Sequence, residues 1–380
     1  MVGGLQCDMS YLLDVLKLLL GSYSGGFIVF WGAMLIAAAG TWILDFRYAE
    51  RCAKLERTLF WAFGIAMILF AAWRPIGIAR DDLQYLNIYD TVCPTLTCGK
   101  WIQGARDWGW YSLVGVLKSL VADPKVLLWL GAVGLLCKLL VIYNLVRRPL
   151  FVLLLYLSVY YELQDLTALR VSLSISVFML GIWLVVKLNS WRYSVILLTC
   201  GFFHKQGYVA PLIIMGSILK PYRWLLTAFC IIPALLVFFG LYPQLQNFFS
   251  VNSWDFQNAT VNQGLDLYLA AQQKGLYKES RNAPVVVYPL ILFTLWLLLK
   301  APSLNDKLHS IMAGCLAMGC LFLWGFASLP DAQVRFFEFF MVPTVLLAGV
   351  RRLDAFEVVG VVAVSGIFLL KYNVLHHLLV

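Results

Sequence analysis

Long apolar runs separated by short polar breaks set the pattern of this chain from residue 27 to residue 370. Runs near span length predict transmembrane helices rather than buried core segments. The predicted spans are 27–44, 59–73, 125–143, 150–161, 170–187, 193–203, 208–219, 224–242, 284–299, 308–329, 336–350 and 356–370, about twelve in all. Two stretches break the rhythm and read as the larger outer loops, 74–124 and 243–283. Within the first, 108–121 has the pattern of an amphipathic helix lying on the outer surface. The run 10–20 is too short to cross and ends in GSYSGG, so it reads as an interfacial helix. No alternating strand pattern is present, which excludes an outer-membrane barrel. The expectation is an all-α, polytopic transmembrane bundle forming one integral membrane domain over 1–380, without internal repeats.

Basic residues orient the spans. Arg47, Arg51, Lys54 and Arg57 follow the first span, and Arg147, Arg148, Lys300, Lys307, Arg351 and Arg352 fall in the matching later turns. Cytoplasmic loops collect Lys and Arg, so both termini are expected outside. The same bias accounts for the net charge of +9 without invoking nucleic acid. Composition agrees: 62% hydrophobic and 13% charged residues depart far from the roughly 45–50% and about 25% of soluble domains. The first residues lack the basic start and small-residue cleavage site of a signal peptide. Of nine cysteines, Cys137, Cys200, Cys230, Cys315 and Cys320 lie in apolar runs and read as small hydrophobes. Cys93 and Cys98 share a polar loop and are either a short disulfide-closed loop or two free thiols. A disulfide there requires an oxidising face.

The predicted outer edge gathers Arg74, Arg80, Asp81, Asp82, Tyr85, Asp107, Glu162, Asp165, Arg170, His204, Lys205, Asp331 and Arg335. Four arginines on one rim match diphosphate, because the planar guanidinium fork fits phosphate oxygens and stays charged. A carboxylate or imidazole among them can take a proton from an acceptor hydroxyl. No glycine-rich phosphate loop accompanies them, so soluble nucleotide chemistry is not indicated. The short runs 193–203 and 208–219, parted only by HKQG, are the kind of interrupted segment that lines a protein cavity. Blander readings compete. Arg170 and Arg335 can snorkel at span ends, His204 can cap a helix, and Asp165 can simply pair with Arg170. Most span-end Trp and Tyr residues form the interfacial belt, although Trp108 is placed to stack on a sugar ring.

In order along the chain, these groups resemble the EpsG/Wzy-like polysaccharide polymerases. The resemblance rests on Arg74, Gly77, Asp81 or Asp82, and Tyr85, then on the acidic-glycine segment 107–113. It continues with Asp165 and Arg170 opening an apolar span, a basic turn, the Phe203-His204 pair, and Arg335 opening RFFEFF. Two positions depart from the family pattern: Val171 stands where glutamine is usual after the central arginine, and Asp107 where glutamate is usual. What the resemblance implies is a GT-C-like membrane glycosyltransferase in a bacterial inner membrane, with its active site facing the periplasm. Such an enzyme polymerises O-antigen or exopolysaccharide units. It moves a growing glycan from undecaprenyl diphosphate to the non-reducing end of another lipid-linked repeat unit, so one class of lipid-linked oligosaccharide is both donor and acceptor. No metal or nucleotide cofactor is implied. Arg170 and Arg335, with Arg74, Arg80, Tyr85 and Asp165, are the expected diphosphate and glycan contacts. His204, Asp81 and Asp82 are the expected catalytic groups. A chain-length regulator and a flippase are the partners such an enzyme implies, beside membrane lipid.

The main rival is a secondary transporter or lipid-linked-oligosaccharide flippase, whose charges tend to sit near the midplane between internal repeats. A related membrane transferase, such as an O-antigen ligase or an O-acetyltransferase, is a weaker alternative, since a ligase concentrates its basic residues in one outer loop and here they are divided among several. A non-catalytic scaffold would not need four outer arginines.

Overall fold

The computed structural model describes residues 23–45, 49–77, 79, 81–95, 107–213, 223–239, 283–300, 307–325 and 330–370. Arg80, Cys98, the run 10–20 and the second loop up to residue 282 lie outside the described residues. Every regular element among the described residues is helical. In chain order these begin with α1 (Tyr23–Asp45), α2 (Ala49–Trp73), α3 (Asp82–Thr91), α4 (Trp108–Leu120) and α5 (Val126–Leu145). Next, α6 (Pro149–Tyr156) runs on as a π-helix, Leu157–Thr167, into α7 (Leu169–Lys187). A 3-10 segment (Trp191–Thr199) leads into α8 (Cys200–Phe203), followed by a 3-10 turn (Lys205–Val209). The chain continues with α9 (Arg223–Phe238), α10 (Ala283–Leu299), α11 (Lys307–Gly325) and α12 (Pro330–Met341). A 3-10 turn (Val342–Leu346) and α13 (Leu347–Val350) precede α14 (Ala355–Leu369).

Among the described residues, seven segments are long and apolar enough to cross a membrane: Gly26–Asp45, Arg51–Trp73, Val126–Leu145, Pro149–Thr167, Leu169–Lys187, Lys307–Gly325 and Gln333–Val350. Arg192–Phe203, Val287–Leu299 and Ala355–Leu369 are apolar but shorter. The difference from about twelve expected spans has local causes. The run 193–203 winds mainly as 3-10 helix and breaks at His204, and the predicted span 208–219 lies outside the described residues beyond Ile213. Two other segments exceed their apolar runs. The second begins in the basic stretch before residue 59, and the fourth carries its π-helix six residues past the predicted end, to Thr167.

The described spans pack around one apolar core that includes Phe151, Leu154, Phe178, Met312, Phe339 and Phe340. A second, smaller core caps one end of the bundle, called here the rim end. There α4 lays Trp110 and Val114 against Tyr85, Ile88, Tyr89 and Val92, with Leu127, Leu169 and Leu173 beneath. The amphipathic reading of 108–121 is therefore matched by a helix whose apolar face covers the starts of α5 and α7.

The opposite end is fastened by charge. Buried Arg148 pairs with Asp45 of α1 and, at 2.6 Å, with Glu56 of α2, while Arg352 reaches Asp45 at 3.2 Å. The Arg147 and Arg148 amides both donate to the Gly349 carbonyl at 2.8 Å, tying the α5–α6 break to α13. Removing one partner from such a cluster strands a buried charge, which typically costs about 3–5 kcal/mol. Arg148→Ala is therefore expected to lower the thermal midpoint of the purified protein well below that of an exposed control such as Arg192→Ala. The double variant Arg148→Met with Glu56→Gln should recover part of the loss, and differential scanning fluorimetry in detergent reads both.

Candidate functional site

Arg74, directly after α2, is braced rather than presented. Its guanidinium grips Asp82 through two bonds of 2.5 and 2.7 Å and donates to the Leu166 carbonyl at 2.6 Å. Asp82 also accepts the Gly77 and Ala79 amides at 2.8 and 3.1 Å. Gly77 has φ +103°, a left-handed conformation that side-chain-bearing residues rarely adopt. The spacing Arg74, Gly77, Asp82 thus encodes a closed turn in which a carboxylate collects one cation and two amides. Burial pushes the Asp82 carboxyl up, but the Arg74 hydrogen bonds and charge, with the two amides, outweigh it and hold the group below the usual carboxylate range. Its neighbour Asp81 is only half-buried and faces a different space.

A second carboxylate joins three segments. Asp107, just before α4, accepts Arg170 of α7 at 2.9 Å on one oxygen and the Lys205 amide at 3.0 Å on the other. Arg170 lies 5.9 Å over the Tyr85 ring. Burial pushes the Tyr85 phenol up to about 12, against the opposing charge of Arg170 and with the help of Asp81, so Tyr85 remains a proton donor. His204 breaks the backbone between α8 and the following turn, and its Nδ1 accepts the Gln206 amide at 3.3 Å. The neutral ring therefore carries its proton on Nε2, leaving a donor for a ligand. Burial, then the charges of Arg170, Arg335 and Lys205, pull the imidazole down to about 3. Gly207 makes this turn possible, because a Cβ there would meet the Cys200 carbonyl carbon at 2.3 Å.

Asp81, Tyr85, Arg170, His204 and Arg335 all line one cavity of about 50 Å³. Five of the predicted site residues, from α3 and the turn before it, α7, the broken turn and α12, are thus brought together. Arg74 and Asp82 stand behind them as the brace just described. Arg80 lies outside the described residues. Asp165, expected beside Arg170, is instead fully enclosed with Lys138 of α5 at 2.5 Å. Lys138 also donates to Ser172 at 2.7 Å and Tyr156 at 3.1 Å, and Tyr156 and Ser172 both donate to Asp165. The reason is the π-helix: its wider winding turns Asp165 toward α5 and delivers Gln164 to the cavity and the Leu166 carbonyl to Arg74. Asp165 therefore does not line the cavity that Arg170 reaches.

Several groups here were not among the expected site residues. Asp107 organises the rim, and Glu338, one turn past Arg335, lines the cavity. Gln164 and Gln206 line it too, and the Oε1 of each is buried without a hydrogen-bond partner among the described residues. Buried orphan acceptors are uncommon and call for a ligand or water. Val171, at the family's usual glutamine position, also lines the cavity, so these two residues supply the amides there. Lys138 was detectable, since a lone cation inside an apolar run is itself a signal.

Cys93 is disulfide-bonded, while its expected partner Cys98 lies outside the described residues. The other six described cysteines are free.

A family model described as the EpsG family matches residues 57–352. No curated protein and no solved structure matches the chain.

Two outcomes follow from the geometry. Lys138→Met leaves Asp165 buried and unpaired and should cost about 3–5 kcal/mol, whereas Lys138→Met with Asp165→Leu should recover most of it in chemical-denaturation curves. His204 is depressed in the fold relative to its ordinary value of 6.5. The unfolded chain therefore takes up the proton first, and His204's share of stability is present above pH about 6.5 and is lost as pH falls toward about 3. The slope is about 1.4 kcal/mol per pH unit in that window, and a His204→Asn variant should flatten it in unfolding curves.

Proposed function

The chain belongs to the EpsG family, and on that premise we propose that it is a polysaccharide polymerase that uses a lipid diphosphate as leaving group. The observation that carries this reading is the convergence of Arg170, Arg335 and the Nε2 donor of His204 on one small cavity beside the Asp81 carboxylate. At about 50 Å³ the cavity is close to one or two waters in size, so it suits a phosphoryl group and the sugar hydroxyls beside it and leaves the bulk of the glycan and the lipid tail outside.

In this reading an acceptor hydroxyl on the non-reducing end of one repeat unit attacks the anomeric carbon of the glycan joined to undecaprenyl diphosphate. The new glycosidic C–O bond forms as the bond from that carbon to the phosphate oxygen breaks, and the lipid diphosphate departs with the electron pair. Asp81 takes the hydroxyl proton. Arg170 and Arg335 stabilise charge growing on the leaving diphosphate, the part fixed donors play best in a water-poor site. His204 stays neutral at working pH and donates a hydrogen bond to a phosphate oxygen rather than acting as base. The orphan amide oxygens of Gln164 and Gln206 accept from sugar hydroxyls. Asp82 and Asp107 act as positioning residues. Because the donor is already an activated diphosphate, the transfer calls for no nucleotide. Placement of this rim in the periplasm is supported by the Cys93 disulfide, which belongs to an oxidising compartment, and by the basic residues at the opposite end.

A transporter of the same lipid-linked units is the competing reading. Ionisable pairs in the described spans are already neutralised, as Lys138 is by Asp165, and the grouped arginines sit at one end. That favours an enzyme.

The test is reconstitution of the purified protein in liposomes with the undecaprenyl-diphosphate repeat unit of the host, without nucleotide sugar or ion gradient. A ladder of chain lengths is expected. Gradient-dependent movement of the unit between leaflets with no ladder would assign the protein to transport. Within the enzyme reading, Arg170→Ala should lose about 10²-fold or more in turnover. Asp81→Asn should lose turnover with an unchanged thermal midpoint, whereas Asp82→Asn should lose stability.

A further inference from the structure

At the end of the bundle opposite the rim, a cavity of about 500 Å³ opens between α2 and α5, lined by Ala53, Lys54, Arg57, Thr58, Trp61 and Tyr143. We propose that it binds the phosphate headgroup of an anionic phospholipid in the leaflet opposite the rim cavity. Arg57 lies sixteen residues before Trp73 on α2, about 24 Å along the helix axis, so this site is separate from the rim.

Charge is the first reason. Three cations at this end are matched: Arg148 by Asp45 and Glu56, Arg351 by Glu357, Lys300 by Asp354. Lys54 and Arg57 are exposed and have no carboxylate partner among the described residues, yet both line the cavity. Three positions apart on a helix, they share a face and can close on one phosphate.

The cavity floor supplies the second reason. The Arg57 guanidinium rests over the Tyr143 ring at 5.5 Å, and Trp61 packs on Tyr143 with ring centroids 5.5 Å apart. Stacking holds the guanidinium plane and leaves its N–H edges for oxygen ligands. Amphipathic rings at that depth mark the boundary between headgroup and hydrocarbon. The Thr58 hydroxyl is turned to the Lys54 carbonyl at 3.0 Å, so recognition falls to the two cations.

The third reason is what continues toward the bilayer centre. Val133, Leu136 and Leu140 of α5, with Ile65 and Leu69 of α2, are exposed apolar side chains on the same two helices. They provide a track for acyl chains that a free anion would not use. An anionic lipid answers the charge, the ring floor and the track at once. Basic pockets between spans are known recognition sites for such headgroups.

Native mass spectrometry of the full-length protein, released from detergent with equal phosphatidylglycerol and phosphatidylcholine, tests this. The parent protein should retain phosphatidylglycerol preferentially. Lys54→Gln with Arg57→Gln should reduce that preference by at least about tenfold, while Lys187→Gln, outside the cavity, should leave it intact. Should the double variant fail to fold, Arg57→Gln alone and the parent's thermal midpoint in the two lipids decide the matter. Equal retention of both lipids by the parent, or equal midpoints in them, overturns the proposal. Displacement of the lipid by millimolar inorganic phosphate also overturns it, in favour of a free-anion site.

Discussion

Inside a bilayer a cation and an anion survive only by neutralising each other, and Lys138 with Asp165 is the pair on which this structure turns. Both side chains are fully enclosed, and the surrounding hydroxyls of Tyr156 and Ser172 satisfy much of what the pair leaves over. The desolvation of each ion is steep, so attraction plus hydrogen bonds must offset it. Meeting that demand fixes the register of four segments: α5, α6, the π-helix and α7. Once Asp165 faces α5, Gln164 lines the rim cavity, the Leu166 carbonyl meets Arg74, and Arg170, second residue of α7, sits where Asp107 can hold it.

The rim then separates carboxylates by duty. Asp82 and Asp107 are each committed to arginine and backbone amide partners, which makes them rigid parts of the frame. Asp81 lines the cavity with Arg170, Arg335 and His204. Adjacent residues thus take opposite parts because one turn of backbone, set by Gly77, points them different ways. A site that handles phosphate gains from this division, since donors held by fixed partners need little reorganisation when charge develops.

Much of the architecture was legible in the sequence because an apolar run of span length has few other stable solutions in water or lipid. Span ends were less so: the helix carrying Arg51, Lys54 and Arg57 continues through polar positions that hydropathy alone would leave out. The convergence of Arg170, His204 and Arg335 could be anticipated, since all three lie at span ends on the same side. Which of Asp81 and Asp82 lines the cavity could not, because that depends on a positive φ and two amide bonds. Pairing of Asp165 with Lys138 was hidden for another reason. Its partner is 27 residues distant, whereas Arg170 is close in sequence, and the π winding that turns Asp165 away from Arg170 has no composition signature.

That separation in sequence has a consequence for biogenesis. Lys138 leaves the ribosome before Asp165, and at about 5–20 residues per second the 27 residues between them take roughly 1 to 5 seconds. During that interval the span enters the translocon with an unmatched ammonium, a charge that insertion scales place at about 2.5–3.5 kcal/mol. Val126–Leu145 is apolar enough, at a mean hydropathy of 2.3 with Lys138 included, to carry it. The arrival of Asp165 then converts a tolerated defect into the joint that locks the helical hairpin together.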